Sequence, residues 1–210
     1  MRDLRRYWPD FLTDHLGLCD RLIAAYDAPR RTYHDTRHLI EVFERIDVLL
    51  ECGPRQAVNR DVVLLAAWYH DAVYEAGGQD EELSARLAER ELAAAAVPPR
   101  LAEEVARLVR LTATHRPAAD DTGGMVLCDA DLGVLAEDPA RYEEYARGVR
   151  EEYAAVPDPE FRVGRASVLT DLLSQPTLFG TEFGRQRWEE RARRNIEREL
   201  SGLESQTEQR

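Results

Sequence analysis

Apolar residues recur every three or four positions along almost the whole chain, and that spacing confines it to a helical architecture. The period-two alternation bounded by Asn-Gly or Asp-Gly turns that marks β-hairpins is absent. Alanine, leucine, glutamate and arginine dominate, and all four favour helix. Phe11, His15, Leu18, Leu22 and Tyr26 predict a first helix ending before Pro29, with His15 an ordinary helix residue. Asp35 or Thr36 caps the next, whose stripe is Leu39, Val42, Phe43, Ile46, Leu49 and Leu50 and whose end is Gly53-Pro54. His38 falls four residues before Val42, on the same buried face. From about Asn59, Val62, Val63, Ala66, His70 and Val73 form another stripe, so His70 also points inward, late in its helix.

Gly77-Gly78 breaks the pattern, and Gln79 or Asp80 starts an alanine-rich helix through Ala96. Pro98-Pro99 opens a fifth, where Leu101, Val105, Leu108, Thr112 and His115 share a face. Arg116 to Gly124 reads as loop, and the short apolar run Met125 to Leu132 carries Asp129 and Asp131 next to the core. Pro139 begins a helix through Tyr142, Tyr145, Val149 and Tyr153. After a turn at Pro157 and Pro159 come Phe161, Val163, Val168, Leu169, Leu172 and Leu173. A charged helix from Phe183 to Leu203 sets Trp188, Ala192, Ile196 and Leu200 on one side. The expectation is one all-α domain over residues 1–203 and a frayed polar tail over 204–210.

At 210 residues, 44% hydrophobic and 32% charged, the chain can bury a sizeable core and has the composition of a soluble globular protein. Its net charge of −12 argues against a nucleic-acid polymer or an anionic membrane as partner, because phosphate contacts need clustered positive charge. A small phosphorylated molecule is compatible with that charge, since a bound cation dominates its local field. Every basic residue is arginine. Cys19, Cys52 and Cys128 are odd in number and widely spaced, which suits a reducing compartment. The N-terminus lacks an apolar signal core, and no run reaches membrane-spanning length, so the cytoplasm is expected.

Four of the five histidines, His34, His38, His70 and His115, fall at predicted helix ends on core-facing sides. Buried imidazoles cost desolvation energy unless they are partnered. With the adjacent Asp71 and the Asp129-Ala130-Asp131-Leu132 run they make a ligand set for a divalent cation: Mn, Fe, Co, Ni, Zn or Mg, with nitrogen ligands favouring the transition metals. A cation held by such side chains keeps positions open for water and a phosphate oxygen, which suits metal-assisted hydrolysis.

The spaced set His38, His70-Asp71 and Asp131 resembles the HD superfamily of metal-dependent phosphohydrolases, an all-α helical-bundle fold. The resemblance implies metal ligation by His38, His70, Asp71 and Asp131, the last chosen over Asp129 because Ala130-Asp131-Leu132 matches the superfamily's usual ending. Asp129 and His115 then orient a ligand or help hold a second metal. Tyr33-His34 with His38 is similar to the tyrosine-histidine element of cyclic nucleotide phosphodiesterases, which makes His34 a general-acid candidate, one turn before His38 if helical. HD nucleotidases carry a catalytic glutamate just after their His-Asp pair; the corresponding candidate is Glu75, one residue further on than in those enzymes. Over residues 5 to 203 the chain looks most like a bacterial-type group of predicted HD hydrolases, on the further features Ala72-Val73-Tyr74, Glu81, Ser84-Ala85, Thr112 and Ala192-Arg193-Arg194-Asn195.

In a lysine-free chain arginine supplies phosphate contacts, and Arg37, Arg110 and Arg116 lie beside the motif residues, with Thr112 near by. Arg147, Arg150 and Arg165 are weaker candidates, the ordinary alternative for each being a surface ion pair. The expected function is a metal-dependent phosphohydrolase acting on a small phosphate ester, a nucleotide among the candidates, with homo-oligomer formation left open. The alternatives are a dinuclear-iron oxygenase of the same fold and a non-enzymatic metal-containing binding domain.

Overall fold

The computed structural model describes residues 4–53, 58–75 and 78–205. Pro54, Gly77 and residues 206–210, most of the expected tail, lie outside the described residues. Ten α-helices follow in order: α1 Leu16–Tyr26, α2 Thr36–Cys52, α3 Arg60–Tyr69, α4 Asp80–Ala94, α5 Pro99–Leu111, α6 Thr122–Leu132, α7 Pro139–Glu152, α8 Asp158–Ser174, α9 Glu182–Arg187 and α10 Glu189–Ser205. No strand occurs among the described residues, and no helix there is long and apolar enough to cross a membrane.

The helix starts follow cap chemistry. Asp35 accepts the backbone N–H groups of Arg37 and His38 at 2.8 and 3.0 Å, and Asn59 accepts that of Val62. Asp121 and Asp138 cap α6 and α7 in the same way. Three expectations shift, one of them the charged helix from Phe183 to Leu203, which is divided at Trp188 into α9 and α10. The first helix is divided into a 3-10 turn, Asp10–His15, and α1, which leaves Phe11 exposed. The expected loop from Arg116 is shorter, because Asp121 starts α6 at Thr122 and the apolar run through Leu132 is helical.

Helix α3 is apolar on every side, and all residues from Val62 to Tyr69 are buried. A helix without a polar face belongs at the centre of a bundle. It packs against α2, α4, α5 and α6, while α4 lies along α5 and α2 along α6. The pair His70-Asp71 directly follows the C-terminal end of this central helix, which is why so polar a pair ends up deep in the molecule.

A second apolar cluster joins Tyr33, the 3-10 turn Gly133–Ala136, α7, Leu169 of α8 and Ala192 and Ile196 of α10. Asn195 fastens α10 to that turn, donating to the carbonyls of Leu135 and Glu137. The space between the two clusters holds the candidate site.

Candidate metal centre

Three helix ends converge. His38 stands in the first turn of α2, His70 and Asp71 just beyond α3, and Asp131 in the last turn of α6. His38 Nε2 lies 3.2 Å from His70 Nε2, 3.3 Å from Asp131 Oδ1 and 3.6 Å from Asp71 Oδ2. His70 Nε2 lies 3.2 Å from Asp71 Oδ2 and 3.6 Å from Asp131 Oδ1. Both imidazoles are only 1% exposed and form the floor, and the two carboxylates line the cavity above them.

Of these, His38, His70 and Asp71 form a group that could hold a metal ion, their ligand atoms all lying within 4.8 Å of one another, with Asp131 Oδ1 beside both imidazoles. Bonds of about 2.1 Å to nitrogen and oxygen place neighbouring ligand atoms about 3.0–3.4 Å apart, close to the separations here. A dication between two neutral imidazoles and two carboxylates leaves the buried cluster without net charge, the least costly state for ions out of water. His70 Nδ1 is 2.7 Å from the Ala67 carbonyl, to which it donates, and this leaves the Nε2 lone pair turned to its neighbours. His38 Nδ1 is buried without a hydrogen-bond partner, and the Tyr33 ring packs on the imidazole at 4.8 Å.

Without a cation the four groups share protons. Burial opposes charge on the imidazoles, but Asp131 and Asp71 outweigh it, raising the His38 pKa and raising that of His70 well above the usual imidazole value. Burial likewise opposes charge on both carboxyls, yet the His70 charge, with His34 beside Asp71 and His115 beside Asp131, holds them well below the usual carboxylate range.

His115 Nε2 bonds Asp131 Oδ2 at 2.8 Å, leaving Oδ1 for the imidazoles of His38 and His70. It does so from a backbone in the left-handed region, φ 51°, where its N–H closes on Leu111 O beyond the end of α5. It therefore leaves the helical face that Leu101 to Thr112 define.

His34 is not helical, because Asp35 caps α2 after it. Its Nδ1 lies 2.6 Å from Glu152 Oε2, and the other oxygen of Glu152 accepts the N–H groups of Thr32, Tyr33 and His34 at 2.8–2.9 Å. Gly148, one turn before Glu152 on α7, makes room for this segment: a Cβ there would stand 2.9 Å from Thr32 O and 3.0 Å from Tyr33 Cβ. The Tyr74 ring covers the imidazole at 4.3 Å. Arg31 completes the frame, its guanidinium donating to the carbonyls of His34, Asp71 and Ala72 at 2.9, 2.7 and 3.1 Å.

Other expected residues stand elsewhere. Asp129 is turned away from the cluster and accepts the N–H groups of Gly180 and Thr181 and the Thr181 hydroxyl. Two residues along an α-helix point to nearly opposite sides, so Asp129 and Asp131 cannot serve one site. The Glu75 side chain is exposed and does not reach the cavity; its backbone N–H donates to Asp80. Arg37 is exposed and paired with Glu41 and Glu144, Arg110 with Glu82 and Glu89, and Arg116 with Asp171, none of them lining the cavity. Thr112 does line it, its hydroxyl donating to Val109 O. Among the weaker arginine candidates, Arg165 lines it as well.

Sequence reasoning missed Glu152, Gly148 and Arg31. A glycine and a glutamate four apart on the α7 surface are the only trace of the first two; nothing links them to His34 across 118 residues. The cavity over the cluster measures about 500 Å³ and is walled by α7, α8 and the 133–136 turn. Comparison with protein-family models, curated proteins and solved structures gives no match.

Proposed function

We propose that this chain is a metal-dependent phosphohydrolase cleaving a phosphate ester of a small molecule. The observation that carries the reading is the meeting of His38, His70, Asp71 and Asp131 with the His34–Glu152 pair on one cavity of about 500 Å³. When bound by those four residues, a divalent cation supplies a water of lowered pKa and polarises a phosphoryl oxygen. His115 holds the Asp131 carboxylate in its orientation. His34 gives a proton from Nε2 to the departing oxygen, while Glu152 fixes the ring through Nδ1 and carries the opposite charge. Apolar side chains make up much of the wall beside the reacting phosphate.

Elemental analysis of the purified protein beside Asp71→Ala, followed by a phosphate-release screen over sugar phosphates, nucleotides and aryl phosphates, tests this. About one divalent ion per chain, lost in the variant together with phosphate release, supports the reading. No metal after reconstitution overturns it in favour of a helical binding domain. Two irons per chain, with dioxygen consumed and no phosphate released, overturns it in favour of oxygen chemistry.

A further inference from the structure

Resting on the hydrolase reading, we infer that the substrate is the monophosphate ester of an apolar alcohol, aryl or branched alkyl, whose body lies along α8 and whose single phosphate faces His34, Asp71 and Asp131.

Helix α8 is poorly paid in neighbours: of its residues only Leu169 is buried. Phe161, Gly164, Val168 and Leu172 recur at spacings of three and four, so one apolar face of α8 is turned to the cavity, and Val168 keeps 54% of its surface exposed there. The opposite wall offers Leu135, Tyr145 and Tyr153.

Gly164 sits in mid-helix, where glycine costs about 1 kcal/mol relative to alanine. No packing explains it, since a Cβ built there meets nothing within 4 Å. The open space beside it is part of the cavity lining.

Charge sets the other limit. Arg165 is the one arginine among the lining residues, and Glu199 accepts from its Nε and Nη2 at 2.8 and 3.1 Å while the guanidinium lies over Tyr145. Glu81 and Glu160 add negative charge to the same walls. A second or third phosphate would meet carboxylates with no free cation to receive it. The Thr112 hydroxyl donates to Val109 O, and Tyr33, Tyr74, Tyr145 and Tyr153 bring aromatic rings to the lining, surface suited to an apolar or aryl body. The reaction balances as ester plus water giving alcohol plus inorganic phosphate. The ester P–O bond breaks, a new one forms to water oxygen, and the alcohol oxygen leaves with a proton from His34.

The test compares 1-naphthyl phosphate with AMP, ATP and glucose 6-phosphate on the metal-loaded protein, and measures binding of 1-naphthylmethylphosphonate, whose P–C bond water does not cleave, to the same metal-loaded protein by calorimetry. Gly164→Leu fills the open wall and Val168→Glu charges it; both are exposed helix positions. The expected result is hydrolysis of the naphthyl ester at least about tenfold more efficient than of AMP, with least on ATP, and binding weakened about tenfold in both variants. Preference for AMP, ATP or glucose 6-phosphate overturns the inference and leaves the hydrolase reading standing. Binding that is absent, or equal in wild type and both variants, also overturns it. Phosphonate that binds and loses affinity in both variants, while naphthyl phosphate is never hydrolysed, upholds the cavity's preference and overturns the hydrolase reading instead.

Discussion

One carboxylate, Glu152, fixes both the ring and the backbone of His34: Oε2 is 2.6 Å from Nδ1, while Oε1 accepts three consecutive N–H groups from Thr32 to His34. With 1% exposure the Glu152 side chain is cut off from water, so nothing replaces these contacts if they are removed. Glu152→Gln should lower kcat about 10- to 100-fold and cost some stability while the metal is retained, and Glu152→Ala should destabilise more, by about 2–3 kcal/mol. Steady-state kinetics with elemental analysis and urea unfolding check this; loss of metal in Glu152→Gln would make the pair part of the ligand frame.

The same carboxylate carries a pH signature. Burial alone would raise its pKa, but the His34 hydrogen bond and charge and the N–H groups of Tyr33 and His34 bring it down to about 2, from an ordinary 4.5. A depressed folded-state value stabilises the fold above pH 4.5, and the contribution is lost as the pH falls towards 2. The stability gap between wild type and Glu152→Gln should therefore be full at pH 6 and shrink steadily below pH 4.5. Urea midpoints across that range measure it, and a constant gap would refute the assignment.

His115 is held in the left-handed region for its bond to Asp131. His115→Ala and His115→Gly both remove the imidazole, and both should weaken metal binding about 10- to 100-fold. They should differ in stability, glycine being the more stable by about 1 kcal/mol because it adopts that backbone without strain. Metal titration and thermal unfolding of the two variants, side by side, separate the ligand effect from the backbone effect.

Asp129 and Asp131 should part company. Asp131→Asn is expected to lose the metal and activity. Asp129→Asn is expected to keep the metal and lose about 1–3 kcal/mol of stability through its contacts to Gly180 and Thr181. Metal loss in Asp129→Asn at full stability would reverse the two roles.

Much of this was legible before the fold was known, for reasons that are local. Asp35 as a cap and the stripe from Leu39 to Leu49 place His38 on a buried face, and an all-apolar α3 carries His70-Asp71 inward. The choice between Asp129 and Asp131 was not settled by pattern, because a short apolar run has no readable period; once α6 is helical the two residues face apart. The arginines misled because, with 40 acidic residues, an arginine beside a motif is more easily taken by a nearby carboxylate than left for a ligand, as Arg37 and Arg116 show. Glu152 could not be assigned from sequence: apart from its spacing to Gly148, its meaning depends on α7 crossing the Thr32–His34 segment, a tertiary fact.

The Arg31 guanidinium, donating at once to the carbonyls of His34, Asp71 and Ala72, joins the two chain segments that flank the cluster by bonds that need no metal ion. Uptake of a metal ion there would order little backbone, so its entropy cost would be small. On the proposed reading the site would act as a rigid socket, which a metal ion would leave and re-enter without the surrounding chain refolding around it.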